Sequence, residues 1–283
     1  MRSNRLRQKL DAGLPTLGTH ILSSWPTLVE LIGAAGGHYD YVEFTAEYAP
    51  FNLYDLDNLG RALELAGIAG MIKVEQGEYT TQSMRAIGSG FQSVLFADVR
   101  TVADAQAAVA AVRAETPGNR RGFGLTGVGM RRDVGTNREV GSPAYTTALD
   151  DAVVVLMVEK RQCVENLDAI LDVPGIDMVQ FGSADYAMSI GHANNRGHKD
   201  VRAAEIKTIE TALKKGIHPR IEIAEPDQAA PYLAMGVKHF CIGWDVGILS
   251  NFWKTRGETM QGLLSAKPAK PTKKTKAPKD NYK

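Results

Sequence analysis

Two carboxylates, Glu159 and Asp185, close two apolar, β-rich runs, VVVLMVEK and IDMVQFGSAD, with one helix-length segment, RQCVENLDAILDVPG, between them. A strand–helix–strand unit with an acid at the carboxyl end of each strand places both acids where parallel α/β folds do their chemistry. The alternative is two acids in ordinary strand-end turns. No Cys or His cluster competes for the role, so the oxygen-donor pair points to a hard divalent cation, Mg²⁺ or Mn²⁺.

Further groups with chemical reach stand at other strand ends. Lys73 ends IAGMIKV. There it can bind a carboxylate, stabilise a developing oxyanion or form a Schiff base, whereas on a surface turn it would do none of these. Glu43, Glu47 and Tyr48 lie at or just past YDYVEFT. A tyrosine beside a cation moves protons only if its pKa falls from about 10. His20 ends TLGTHIL. A lone histidine is more often structural than catalytic, but its position faces a site. In GSAD, the small residues Gly182, Ser183 and Ala184 let main-chain N–H groups approach an anion such as a substrate carboxylate. Ser183 is not in a G-x-S-x-G elbow.

These positions need a frame that gathers strand ends. The pattern predicts a leading helix over residues 3–12, then strands Thr16–Leu22, Tyr39–Thr45, Ile68–Val74, Gln92–Ala97, Val153–Val158, Met178–Phe181, Arg220–Ile223 and His239–Ile242. Helices are expected at Pro26–Gly36, Leu53–Ala66 (closed by Gly67), Thr80–Ile87 (stopped at Gly88), Val102–Arg113, Ser142–Leu149, Val164–Leu171, Val201–Lys215, Asp227–Met235 and Val246–Leu264. Residues 122–129 read as a short strand or a loop, and a loop carrying His192 and His198 follows GSAD. Eight alternations over about 250 residues are the signature of a (β/α)₈ TIM barrel. A doubly wound sheet would need a phosphate-binding first turn. GFGLTG at residues 122–127 matches G-x-G-x-x-G in letters, but neither a strand before it nor a helix after it supports that role.

Composition agrees. The chain has 283 residues, 44% hydrophobic, enough for one large core. The expected division is a single barrel domain over 1–264 and a disordered Lys/Pro-rich tail over 265–283. Residues 266–283 hold seven Lys and one Asp, which leaves the body at a net charge of −5. The body lacks a basic patch interleaved with aromatics, so nucleic acid is not the expected partner. There is no apolar run of membrane-spanning length and no signal-peptide core in MRSNRLRQKLDAG. The two cysteines, Cys163 and Cys241, lie in apolar segments without metal spacing, which fits buried free thiols and a cytoplasmic setting.

Taken together, Glu159, the GSAD turn ending in Asp185, AEYAP after the second strand, and RRGFG resemble the HpcH/HpaI aldolase family, the class II, metal-dependent 2-oxo acid aldolases. The resemblance runs from about Leu14 to Leu264. It implies a (β/α)₈ barrel, usually hexameric, with the last helix exchanged between neighbours. It also implies a divalent metal, Mg²⁺, Mn²⁺ or Co²⁺, held by Glu159 and Asp185, and a pyruvate-type carboxylate at the backbone of Gly182, Ser183 and Ala184. Three positions depart from the family pattern. Tyr48 stands where the family's EHAP histidine would be, Gly88 near the aspartate that supports it, and Lys73 at the arginine that contacts the oxo group. The resemblance therefore implies a carbon–carbon lyase acting on a 2-oxo acid, by retro-aldol cleavage or decarboxylation. Lys73, Tyr48 and His20 are its candidate catalytic residues. The alternatives are a metal-dependent isomerase or hydratase of an unusual acid, a Schiff-base enzyme using Lys73, and a non-catalytic barrel that binds a small acid. A homo-oligomer, hexamer or trimer, is expected.

Overall fold

The computed structural model describes residues 2–135 and 138–266. Residues 267–283, most of the expected tail, lie outside the described residues. Eight parallel strands close into a barrel in chain order: β1 (Thr16–Ile21), β2 (Tyr41–Thr45), β3 (Ala69–Val74), β4 (Ser93–Phe96), β5 (Val153–Val158), β6 (Met178–Phe181), β7 (His218–Ile223) and β8 (His239–Trp244), with β8 returning to pair with β1. Strands covered on both faces read as unbroken apolar runs. β5, VVVLMV, is buried at every position.

Alternation along each strand divides the core in two. Outward residues such as Ile72, Val94, Val154 and Leu156 pack beneath the helices. Inward residues of β3–β6, among them Met71, Leu95, Val153, Val155 and Met178, fill the lumen together with Leu6 and Leu10. Those two leucines come from helix Arg5–Asp11, which plugs the amino-terminal end of the barrel. Arg7 anchors the plug through a two-point bond to Asp177 at 2.7 and 2.6 Å, just before β6. Asn4 donates to the carbonyls of Gln92 and Asp151, just before β4 and near β5.

The other half of the lumen is polar. The register aligns His20 of β1 with Glu43 of β2, Gln180 of β6 with Arg220 of β7, and Glu222 of β7 with Cys241 of β8. Tyr41 lies across this half because β1 offers Gly18. A Cβ there would sit 2.2 Å from the Tyr41 ring.

Several elements differ from the sequence pattern. Helix Tyr79–Ser89 runs past Gly88 and ends at Gly90, the glycine that takes the left-handed conformation (φ 111°). The expected helix Val164–Leu171 is two short helices, Arg161–Glu165 and Leu167–Ile170, broken where the Asn166 amide bonds the Gln162 carbonyl. Val102–Ala110 is shorter than expected, because Arg113 turns inward to donate to the carbonyls of Leu149, Ala152 and Gly175. Residues 122–129 form a loop with one bridge, Ala114 to Thr126. Directly after β6, where a loop was expected, the chain forms helix Ser183–Ser189, which is too short to show periodicity. In the loop beyond it, the rings of His192 and His198 stack at 3.6 Å.

The last helix, Asp245–Ser265, belongs largely to a separate unit that starts at Val246. Along it Leu249, Phe252, Trp253, Met260, Leu263 and Leu264 are exposed at helical spacing. Among the described residues no helix is long and apolar enough to cross a membrane.

Candidate active site

A cavity of about 750 Å³ opens at the carboxyl ends of the strands. Of the residues singled out from the sequence, it is lined by His20, Glu43, Tyr48, Lys73, Glu159, Gly182, Ser183, Ala184 and Asp185, and Glu47 reaches it through Lys73. Strand ends far apart in the chain meet there because the barrel closes.

Glu159 follows β5 and is only 2% exposed. Its Oε1 accepts the Asp98 N–H at 2.8 Å. Asp98 presents that N–H from a left-handed backbone (φ 59°), a conformation Asp tolerates better than most residues. Gly182 lies so close that an added Cβ would be 2.6 Å from the Glu159 Cβ. Burial raises the Glu159 pKa, with Asp185 adding to the rise and Lys73 opposing it. Asp185 sits in the first turn of helix Ser183–Ser189, and its Oδ1 accepts from Lys160 Nζ at 2.8 Å. Lys160 also pairs with Asp98 at 2.7 Å. Among the described residues no hydrogen bond reaches Glu159 Oε2 or Asp185 Oδ2. One oxygen of each carboxylate is therefore tied and one is left for a ligand. Two hard oxygens with the remaining positions open to water or substrate fit Mg²⁺ or Mn²⁺. The N-cap Gly182 provides no side-chain bond to the first turn, which leaves main-chain donors for an anion.

Opposite stands the ammonium of Lys73 with its neighbours Glu47 and Tyr48. Lys73 Nζ lies 2.5 Å from Glu47 Oε2 and 3.3 Å from the Tyr48 hydroxyl, and 4.9 Å from the centre of the Tyr48 ring. Burial alone would lower the Lys73 pKa, but the anions Glu159 and Glu47 raise it above its ordinary value, so the ammonium persists. The Tyr48 pKa is also raised, by burial, with Lys73 opposing. Tyr48 is thus a phenol at neutral pH.

Below these groups, the polar half of the lumen forms the cavity floor. Arg220, with no exposure, donates from Nε to the Tyr41 hydroxyl at 2.7 Å and from its two Nη groups to Gln180 and Glu43. Thr45 donates to Glu43 at 3.2 Å. Burial pushes the Glu43 carboxyl up, but Arg220, His20 and Lys73 together outweigh it and the pKa is lowered. Gln180 passes its amide N–H₂ to Glu222 Oε2 at 3.1 Å, and Glu222 Oε1 faces His20 Nδ1 at 3.6 Å. Burial pushes both thiols, Cys163 and Cys241, up to about 12, which excludes them as nucleophiles.

Gln180, Arg220 and Glu222 were not singled out from the sequence. Their signal is a period-two interruption of apolar strands, Gln in MVQF and Arg and Glu in RIEI, which places polar groups on the inner face. Asp98 and Lys160, which hold the carboxylates, lie just past strand ends and carry no such pattern.

The sequence profile described as HpcH/HpaI aldolase/citrate lyase matches residues 17–251. The chain is 29% identical to the 4-hydroxy-2-oxo-heptane-1,7-dioate aldolase of Escherichia coli over 248 residues, covering 87% of this chain and 91% of that one. It is 31% identical to the hydroxypyruvate/pyruvate aldolase of Pseudomonas aeruginosa over 249 residues, 87% of this chain and 88% of that one. Among solved structures, an HpcH/HpaI aldolase/citrate lyase family protein from Burkholderia cenocepacia J2315 superposes with a TM-score of 0.80 at 26% identity, covering 93% of this chain and 100% of the other.

Proposed function

The chain belongs to the HpcH/HpaI aldolase/citrate lyase family, and on that premise we propose that it is a divalent-metal-dependent carbon–carbon lyase acting on a 2-oxo acid. The reaction is retro-aldol cleavage or decarboxylation. The observation that carries the reading is the meeting, in one cavity, of two half-tied carboxylates, Glu159 and Asp185, with the buried ammonium of Lys73.

Glu159 Oε2 and Asp185 Oδ2 would hold the cation, Mg²⁺ or Mn²⁺, with Co²⁺ also compatible with oxygen donors. When bound, the cation supplies Lewis-acid stabilisation of the charge that grows on the C2 oxygen. The chain's own groups do the rest. The Ser183 and Ala184 N–H groups receive the substrate carboxylate, while the Gly182 N–H is taken by the Val158 carbonyl at 3.0 Å and its missing side chain leaves room for the anion. Lys73 adds positive charge beside the C2 oxygen, with Glu47 holding its position. Tyr48 and His20 are the two candidates for proton transfer.

The test is turnover of oxaloacetate and of 4-hydroxy-2-oxo acids with and without metal, corrected for the rate with free metal alone. Glu159→Gln and Asp185→Asn are expected to abolish the enzymatic rate. Full activity in excess chelator overturns the reading.

The enzyme is further proposed to act in the cytoplasm as a homo-oligomer, a hexamer or trimer. The exposed apolar stripe of helix Asp245–Ser265 supports self-association. A monomer in sedimentation equilibrium at micromolar concentration would count against it.

A further inference from the structure

We propose that His20, held by Glu222, is the base that removes the substrate's C4-hydroxyl proton, so that the proton-transfer duty sits on the barrel floor rather than beside Tyr48. The proposal rests on the reading of the enzyme as a 2-oxo acid lyase and adds the residue that makes cleavage, as distinct from decarboxylation, possible.

Elimination among the groups lining the cavity supports it. Glu159 and Asp185 are committed to the cation. Glu47 is paired with Lys73, and Glu43 with Arg220. Glu205 accepts from the Tyr232 hydroxyl at 2.9 Å and pairs with Arg202. Tyr48 is bonded to the Lys73 ammonium and holds its proton more tightly than an ordinary tyrosine. The lysine is itself a cation. His20 and Glu222 remain, and they face each other.

Their arrangement is directional. Arg220 donates to the Gln180 carbonyl oxygen, which turns the Gln180 N–H₂ toward Glu222. Glu222 is thereby held by one oxygen, and the other faces His20 Nδ1. At 3.6 Å that approach is longer than a hydrogen bond and becomes an ion pair only once the imidazole has taken a proton, and such contacts tighten when substrate fills a site. With Nδ1 turned to the carboxylate, Nε2 is the nitrogen left for a ligand in the cavity that His20 lines. The groups facing the imidazole from its neighbours are Glu43 on β2, Glu222 on β7, and Cys241 and Trp244 on β8, with Sγ 4.0 Å from Nδ1 and the indole tilted at 5.8 Å. Glu222 is the positioning residue of the pair.

The step balances. His20 Nε2 takes the proton of the C4 hydroxyl. The C4–O electrons form the aldehyde carbonyl as the C3–C4 bond breaks. That bond's pair becomes the C2–C3 double bond, with the charge on the C2 oxygen. The imidazolium then returns its proton to C3 and leaves pyruvate. Loss of CO₂ from oxaloacetate gives the same enolate with no proton removed from a hydroxyl, so its bond-breaking step does not use the base, and only the later protonation at C3 is shared by the two reactions.

The experiment compares these two reactions in the magnesium-loaded full chain, with 4-hydroxy-2-oxopentanoate and oxaloacetate as probes. For His20→Asn, the ratio of cleavage to decarboxylation is expected to fall by ~10²-fold or more. For Glu222→Gln, the cleavage kcat falls less and KM changes little. Glu222→Asp is expected to restore part of the loss. Circular dichroism and a thermal midpoint close to wild type in each variant report that the barrel is folded. Equal losses in both reactions, unchanged cleavage in His20→Asn, or a selective loss confined to Tyr48→Phe overturns the assignment. So does a wild-type enzyme that decarboxylates oxaloacetate but cleaves no 4-hydroxy-2-oxo acid. A wild type with neither activity instead removes the lyase reading itself.

Discussion

Lys73 Nζ rests 2.5 Å from Glu47 Oε2, and the Tyr48 hydroxyl stands at 3.3 Å. An amine so held is a fixed cation and not a nucleophile, since a Schiff-base lysine needs a lowered pKa and this one is raised. Borohydride reduction in the presence of pyruvate is expected to leave Lys73 unmodified by mass spectrometry. Lys73→Met is expected to lower kcat by ~10²-fold, and Lys73→Arg by less, because the charge beside the oxyanion survives.

Glu43 and Arg220 form a buried pair, both shielded from solvent. Glu43→Leu leaves a buried guanidinium without its anion and is expected to cost about 3–5 kcal/mol. The Glu43 pKa is lowered from 4.5, so the pair's stabilisation is full above that value and is lost as pH falls through the lower folded value. The gap in denaturation midpoint between wild type and variant should therefore be widest near neutrality and close below pH 4.5.

His239 donates to or accepts from Thr16 Oγ1 at 3.0 Å and meets His218 at 3.2 Å. Burial, reinforced by His218, pushes its pKa down from 6.5 to about 3. The unfolded chain binds a proton in that window that the folded chain refuses, so stability falls as pH falls from 6.5 toward 3. His239→Asn is expected to flatten this part of the curve of urea midpoint against pH. His218, whose pKa burial also lowers, contributes to the slope that remains, and below pH 4.5 Glu43 does as well.

Gly18→Ala would force a methyl group to within 2.2 Å of the Tyr41 ring. Overpacking of this kind costs about 1–3 kcal/mol. Because the Tyr41 hydroxyl holds Arg220, the displacement should also disturb the cavity floor, and catalysis is expected to fall along with thermal stability.

The strands were legible because β5 is a continuous apolar run and β3 is one up to Lys73, and Leu53–Ala66 was legible to the residue because Gly67 closes it with φ 65°. Gly88 and Gly90 could not be ranked the same way. Which of two nearby glycines turns left-handed depends on the packing of the strand that follows. The ends of β5 and β6 marked Glu159 and Asp185 directly. The floor was hidden because Arg220 and Glu43 meet across 177 residues, and only the closure and register of the barrel turn Gln180, Arg220 and Glu222 inward to one place. Helix Ser183–Ser189 was missed because seven residues give too little repeat to read.

The plug at the amino end of the barrel has a consequence for biosynthesis. Arg7 must find Asp177 across 170 residues, and Asn4 must find the Asp151 carbonyl across 147. At about 5–20 residues per second, a ribosome delivers Arg7 on the order of ten seconds before its partner. A helix that precedes all eight strands is thus among the last elements to dock. Until it does, the apolar half of the lumen is left without the two leucines that close it, Leu6 and Leu10.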